Sequence, residues 1–406
     1  MQGRKAIIYI IVFLVNQSFI DPVLGQTDSL EVQPKIYYGD KGWHLESANG
    51  KYVTDFQLRL QLRYSYPFEQ DPLSLEDFNN EKQHILQIRR ARVKIGGHAF
   101  TPKLKYYMEY ELAASSLLDF WAIYSFNKAI RIQVGQYKAR YNTERIVSSG
   151  RLQTADRSIL TRPFTIDRQT GLTVFGNLSE KGALNFSYWL AVFSGTGRGQ
   201  FVPEDDKLMW KFRGQWNMFG EEMSFVSSDI NQLPEWRGYL AGGVVTNQSQ
   251  FTRFSQSGGG QLRGYEDPSE PGQYRVNQFF VETAFKKSGF SWQQEFHWKR
   301  INDRLDNTSR TLTGNYFQLG SFPVTYIKKF PEQLELAARY ALYLPYLRFP
   351  DLNAAQYSEK EFTISLNWFF KGHTNKLSSE VSFIDLEEND ITRPGWRFRL
   401  QWDVSF

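Results

Sequence analysis

The chain closes with Trp396-Arg397-Phe398-Arg399-Leu400-Gln401-Trp402-Asp403-Val404-Ser405-Phe406. Trp396, Phe398, Leu400, Trp402, Val404 and Phe406 alternate without a slip with Arg397, Arg399, Gln401, Asp403 and Ser405. A period of two is a β-strand with one apolar and one polar face. A strand tilted across a bilayer needs about 9–11 residues, and this one has that length with aromatic residues at both ends. The same pattern also suits a soluble sandwich, so the rest of the chain has to decide.

Similar segments recur back to residue 52. The first sets Phe56, Leu58, Leu60, Leu62 and Tyr64 against Gln57, Arg59, Gln61 and Arg63. Others fall near residues 86–96, 104–112, 118–126, 130–138, 169–178, 183–193, 208–217, 237–246, 276–286, 290–300, 311–322, 334–342, 362–370 and 377–384. With the terminal strand they make about sixteen. Tight turns fall at residues 127–128, 179–182, 286–289 and 371–375, and long polar loops at 67–82, 140–167, 195–206, 247–275 and 345–359. An even number of strands, short periplasmic turns and long external loops describe a bacterial outer-membrane barrel. Residues 218–235 fit neither class of connection.

Composition agrees. The 406 residues include 33 Phe, 22 Tyr and 11 Trp but no Cys, and the mean hydropathy is only −0.48. Alternating strands reconcile a high aromatic content with low hydropathy, because every second residue faces water. A secreted chain without disulfides needs a large core or a closed hydrogen-bonded surface. No stretch after the N-terminus approaches the length of an apolar membrane helix. Residues 1–25 read as a signal peptide, with Arg4 and Lys5 before an apolar run and Val23-Leu24-Gly25 as cleavage site. Removing them takes away Arg4, Lys5 and Asp21 and leaves a net charge of +4. Residues 26–50 read as a short periplasmic leader, and 51–406 as the transmembrane antiparallel β-barrel of an all-β protein.

Two basic clusters carry the functional signal. Arg89, Arg90, Arg92 and Lys94 have no acidic neighbour among them, and period two puts Arg90, Arg92 and Lys94 on one face, opposite Ala91, Val93 and Ile95. A lipid-facing cation at mid-bilayer costs about 2–4 kcal/mol, so that face looks into a lumen. Residues 138–168 carry Lys138, Arg140, Arg145, Arg151, Arg157, Arg162 and Arg168 against Glu144, Asp156 and Asp167, a local charge of +4. Rings of Arg and Lys are how pores select anions and phosphate, and guanidinium binds phosphate oxygens bidentately. The competing reading is structural: inward arginines paired with inward Glu109, Glu111, Glu282, Glu295 and Glu335.

Enzymatic readings are poorly supported. His44, His84, His98, His297 and His373 are scattered without ligand spacing, so no metal site and no cofactor are expected. Gly195-Thr196-Gly197-Arg198-Gly199 has no helix after it and no Gly-Lys-Ser/Thr ending, and reads as an external turn. Ser148 and Ser149 have no nearby histidine. Basic residues that alternate with lipid-facing apolar ones do not make a nucleic-acid surface.

Several stretches resemble the phosphate-selective porin O/P family of Gram-negative outer membranes. The most specific pair is Ile88-Arg89-Arg90-Ala91-Arg92-Val93-Lys94-Ile95-Gly96 with Val134-Gly135-Gln136-Tyr137-Lys138; Arg168-Gln169-Thr170-Gly171 and Leu366-Asn367-Trp368-Phe369-Phe370-Lys371-Gly372-His373 add to it. The resemblance implies a sixteen-stranded barrel, usually a homotrimer, narrowed by an infolded third loop. It also implies an arginine-lined path to a phosphate site. Carried onto this chain, it marks Arg59, Arg89, Arg90, Lys138 and Asp119, beside Arg92, Lys94 and Arg140 from the charge pattern. Arg145, Ser148, Ser149 and Arg151 are loop candidates. Ala139-Arg140-Tyr141-Asn142 departs from the family's usual Pro-Phe after the lysine. The expected function is a passive, anion-favouring channel for phosphate or other small anions in the outer membrane. The alternatives are a general diffusion porin and a non-conducting barrel acting through its loops as an adhesin or uptake subunit.

Overall fold

Extended backbone sends successive side chains to opposite faces, and in lipid its N–H and C=O groups must all be paired along both strand edges. A closed barrel satisfies both conditions. The computed structural model describes residues 33–406 apart from 80–81, 180–181, 183, 199–206, 256–258, 266 and 346–356. Two short strands come first, β1 (Lys35–Gly39) and β2 (Gly42–Glu46). The longer strands begin with β3 (Val53–Tyr66), β4 (Ile85–Ala99), β5 (Thr101–Glu111), β6 (Ser116–Ser125), β7 (Arg131–Lys138), β8 (Arg168–Asn177), β9 (Phe186–Phe193) and β10 (Met209–Trp216). They continue with β11 (Arg237–Ser249), β12 (Tyr274–Lys287), β13 (Phe290–Asp303), β14 (Ser309–Ser321), β15 (Leu334–Leu344), β16 (Tyr357–Lys371), β17 (Asn375–Glu388) and β18 (Ile391–Ser405).

Successive strands from β2 onward pair antiparallel, and β18 returns to β3, from Phe398 opposite Tyr66 to Ser405 opposite Arg59. The result is a closed antiparallel barrel of sixteen strands with two extra. Every expected segment lies on a strand, although β9 starts at Phe186 rather than 183 and β18 starts at Ile391 rather than Trp396. The expected signal, 1–25, lies outside the described residues. In the leader, β1 and β2 form a hairpin that covers the stretch of β3 beyond the reach of β18, with Trp43 opposite Phe56 and Glu46 opposite Val53. Among the described residues no helix is long and apolar enough to cross a membrane.

The alternation of connection lengths has exceptions. At the loop end, residues 112–115 and 389–390 are short, while at the turn end residues 217–236 make a long excursion. The outer wall shows Leu86, Ile88, Phe120, Trp210, Val244 and Ile364 to the surroundings. The lumen is not an open tube. Apolar residues of the 139–167 loop, among them Tyr141, Ile159, Leu160, Phe164 and Ile166, pack against inward Val245, Val276, Phe280, Ile301, Leu312 and Tyr316. This core holds the loop against one half of the barrel and leaves the other half, β3–β8 and β18, as the polar wall.

Candidate functional site

The terminal strand is oriented as its alternation requires. Arg397, Arg399, Gln401 and Asp403 are buried inside, while Trp396, Leu400 and Trp402 are exposed outside. Asp403 stands opposite Gln61 in the ladder. It accepts hydrogen bonds from Arg59 Nε (2.9 Å) and Nη2 (2.7 Å), and a further one from Gln61.

Strict alternation would turn Arg89 toward lipid with Ala91. The structure corrects this with a β-bulge: Gln61 pairs with Arg90 and the next residue, Leu62, with Ile88, so Arg89 is the extra residue. A bulge sets two residues against one, and both arginines reach the lumen. Arg89 lies 3.3 Å from Asp156 and 3.4 Å from Glu69, and Arg90 donates to Gln61 Oε1 at 2.8 Å. Burial pushes the Asp156 carboxyl up, but Arg63, Arg90 and Arg89 outweigh it and hold the group well below the usual carboxylate range. Deletion of Arg89 is expected to leave a folded barrel, because it restores one-to-one pairing. Deletion of Ala91 also restores one-to-one pairing but puts Arg90 in the lipid-facing place opposite Leu60, so it is expected to cost about 2–4 kcal/mol and to leave far less folded barrel. Heat-dependent gel mobility of the refolded variants distinguishes the two, and an unfolded Arg89 deletion would refute the bulge.

The loop is tied down by inward carboxylates. Glu295 accepts from Asn142 Nδ2 (2.8 Å) and the Glu144 backbone N–H (2.6 Å), and Glu282 from the Thr143 backbone N–H (2.8 Å). Glu380 and Glu361 take the backbone N–H groups of Ala155 and Ile159. Glu335 accepts from Gln153 at 2.7 Å. Of the carboxylates expected to neutralise arginines, Glu109 and Glu111 pair with Arg92, and Glu282 with Arg213. Glu295 and Glu335 mainly serve the inserted segments.

Residues 217–236 form the second insertion, from the turn end. Met223, Ser227, Ser228 and Asp229 are buried there, and Lys286 donates to the Ser228 carbonyl at 3.2 Å. Ser228 Oγ donates to Glu335 at 2.9 Å, and the Ser227 N–H meets the Arg151 carbonyl at 3.4 Å. The two insertions therefore touch inside the barrel.

The candidate residues divide into held and available cations. Arg59 is committed to Asp403 and to Ser149 Oγ (3.1 Å), and Arg92 to Glu109 and Glu111. Arg145 pairs with Asp167, and Arg168 donates to Asp119 at 2.9 and 2.7 Å. Asp119 also accepts from the Lys138 backbone N–H (3.0 Å), which places that lysine beside the pair. No carboxylate among the described residues lies within ion-pair distance of the Lys138 or Lys94 ammonium; Lys94 donates to Gln57 at 3.2 Å. Lys138 lies in the field of Arg157, Arg168 and Arg145. Arg157 donates to the carbonyls of Glu144 (2.8 Å) and Val147 (2.7 Å). Lys94 stands near Arg59 and Arg92, so the two lysines mark a cationic track along β3–β8.

Arg140 does not join that track. Its guanidinium lies 5.8 Å from the Phe225 ring, against the second insertion. Ser148 and Arg151 line a cavity of about 800 Å³ at the turn end together with Arg59 and Lys94. Residues missed as site members are Asp403, Asp156, Arg157 and Arg168. Arg157 and Arg168 were visible in the basic run of residues 138–168. Nothing local marks Asp403, which lies on the far side of the chain from its arginine.

A family model described as phosphate-selective porin O and P matches residues 56–398. No curated protein matches. Several solved structures share the fold. The anion-selective porin from Comamonas acidovorans is 8% identical with a TM-score of 0.56, covering 87% of this chain and 99% of that one. The outer membrane channel DcaP of Acinetobacter baumannii is 11% identical with a TM-score of 0.55, covering 87% and 97%. Outer-membrane OmpT of Vibrio cholerae is 10% identical with a TM-score of 0.54, covering 92% and 100%.

Proposed function

We propose, from a chain that belongs to the phosphate-selective porin O and P family, a passive outer-membrane channel that favours anions, with phosphate as the preferred solute. The observation that carries this reading is the pair Lys94 and Lys138, lumen cations with no carboxylate within ion-pair distance among the described residues, while the arginines around them are held by Asp403, Asp156, Glu109, Glu111 and Asp119. Arginines held by carboxylates are largely neutralised, so the uncompensated positive charge rests on the two lysines, whose ammonium groups exchange their water for phosphate oxygens. Conduction needs sites strong enough to fill and weak enough to leave, in steps an ion can hop. No covalent chemistry is invoked. The same reading has the signal at 1–25 cleaved on export, the chain seated in outer-membrane lipid, and three copies forming a homotrimer.

The test is selectivity in planar bilayers. Under a salt gradient the reversal potential is expected to favour anions, and added phosphate to block chloride current. Lys94→Gln removes one unit charge at about 7 Å from a passing ion. That charge is worth about 0.6–1.2 kcal/mol at an effective dielectric constant of roughly 40–80, so block should weaken roughly three- to eightfold. A cation preference in the unmutated channel rejects the proposal. One observation favours a second reading, a general diffusion porin: most lumen arginines have carboxylate partners. Equal permeability to both ions would select it. Two lumen-filling insertions favour a third, a barrel acting through its loops, which absence of any conductance would select.

A further inference from the structure

The cavity at the turn end lies below the held arginines and has features that bare phosphate does not need. Its volume is about 800 Å³. On its wall the Tyr107 and Trp121 rings stack with centroids 5.4 Å apart and planes at 26°. The two residues are opposite each other in the β5–β6 ladder, and Tyr107 is opposite Gly96 of β4. A Cβ at Gly96 would sit 2.9 Å from the Tyr107 ring, so glycine is what lets that ring lie close over the strand. Lys94 is two residues before Gly96 on the same face, about 7 Å along the strand. Arg151 enters the same cavity from the loop, exposed and without a carboxylate within ion-pair distance among the described residues. An aromatic platform thus sits beside two available cations.

We infer that this cavity is a binding site for organic anions in which a phosphate is joined to a flat ring, with the ring against Tyr107 and Trp121 and the phosphate on Lys94 and Arg151. The site deepens the anion-channel reading and rests on it. Aromatic faces bind other π systems by offset stacking and apolar burial, and ring–aromatic stacking is tolerant of the ring's identity. A cation next to the platform then selects rings that carry negative charge. On the hairpin side, Asp55 is engaged by His44 (2.7 Å) and Lys41 (3.6 Å), which leaves the Lys94 wall as the place for the phosphate.

Block of chloride current in planar bilayers tests this with inorganic phosphate, methyl phosphate and phenyl phosphate added at each side. Phenyl phosphate is expected to block at roughly tenfold lower concentration than methyl phosphate, equivalent to about 1.4 kcal/mol, and more strongly from the turn end. In Trp121→Leu the ratio of phenyl to methyl phosphate block is expected to fall to within about twofold, with methyl phosphate as the internal reference. The wild-type series needs no variant, so a Trp121→Leu chain that fails to fold leaves the test intact. Equal block by phenyl and methyl phosphate with anion selectivity preserved overturns this site alone. Loss of anion selectivity itself overturns the channel reading beneath it.

Discussion

Lys138→Glu is expected to turn an anion-favouring channel into a cation-favouring one and to weaken phosphate block by roughly 8- to 60-fold. The substitution reverses a charge, so it changes the local potential by two units. At about 7 Å that amounts to about 1.2–2.4 kcal/mol. Its position keeps that effect free of any secondary change in pairing. The backbone of Lys138 is anchored by Asp119, which is itself occupied by Arg168, so no neighbouring carboxylate is freed or satisfied by the change. Arg92→Gln, by contrast, releases Glu109 and Glu111 and mixes two effects. Reversal potentials and phosphate titrations on the variant give the result directly. A shift under twofold in both would show that solute passes elsewhere.

Asp403→Ala is expected to cost about 3–5 kcal/mol of stability, the range for leaving one member of a buried ion pair alone. The Arg59 and Asp403 side chains are 2% and 1% exposed and meet at 2.7 Å. They also join the first and last strands of the barrel, so the loss falls on the seam that closes it. Arg59→Leu with Asp403→Leu is expected to recover most of the loss, since an apolar pair leaves no uncompensated charge. Urea unfolding midpoints in micelles, with refolding to confirm reversibility, measure both. Simple additivity of the two single substitutions would show that the pair is not coupled.

The strands were legible because alternation is local, and about ten residues suffice to display it. Their number and closure followed from repetition. What parity alone concealed was the bulge, yet the adjacent Arg89 and Arg90 carried a sign of it: one of them would otherwise face lipid at a cost of about 2–4 kcal/mol. Ion-pair partners were not legible, since Arg59 meets a residue 344 positions away and Arg63 meets Asp156 on the inserted loop. Which cations remain available depends on those distant meetings, so Lys94 and Lys138 could not be separated in advance from Arg59 and Arg92. Arg140 was grouped with Lys138 by nearness in sequence, but the chain leaves the strand between them. Residues 217–236 lacked any periodic signal because they pack as an irregular insert, held by Lys286, Glu335 and the Arg151 carbonyl.

Glu335 gives the interior a mechanical property that the wall lacks. Its one carboxylate holds Gln153, from the loop that enters at one end, and Ser228, from the segment that enters at the other. The contents of the barrel thus form a continuous strut between the two ends of the barrel, pinned to the wall at β15. Tension applied to the turn-end segment reaches the opposite loop through the Glu335 carboxylate and the Ser227–Arg151 backbone contact.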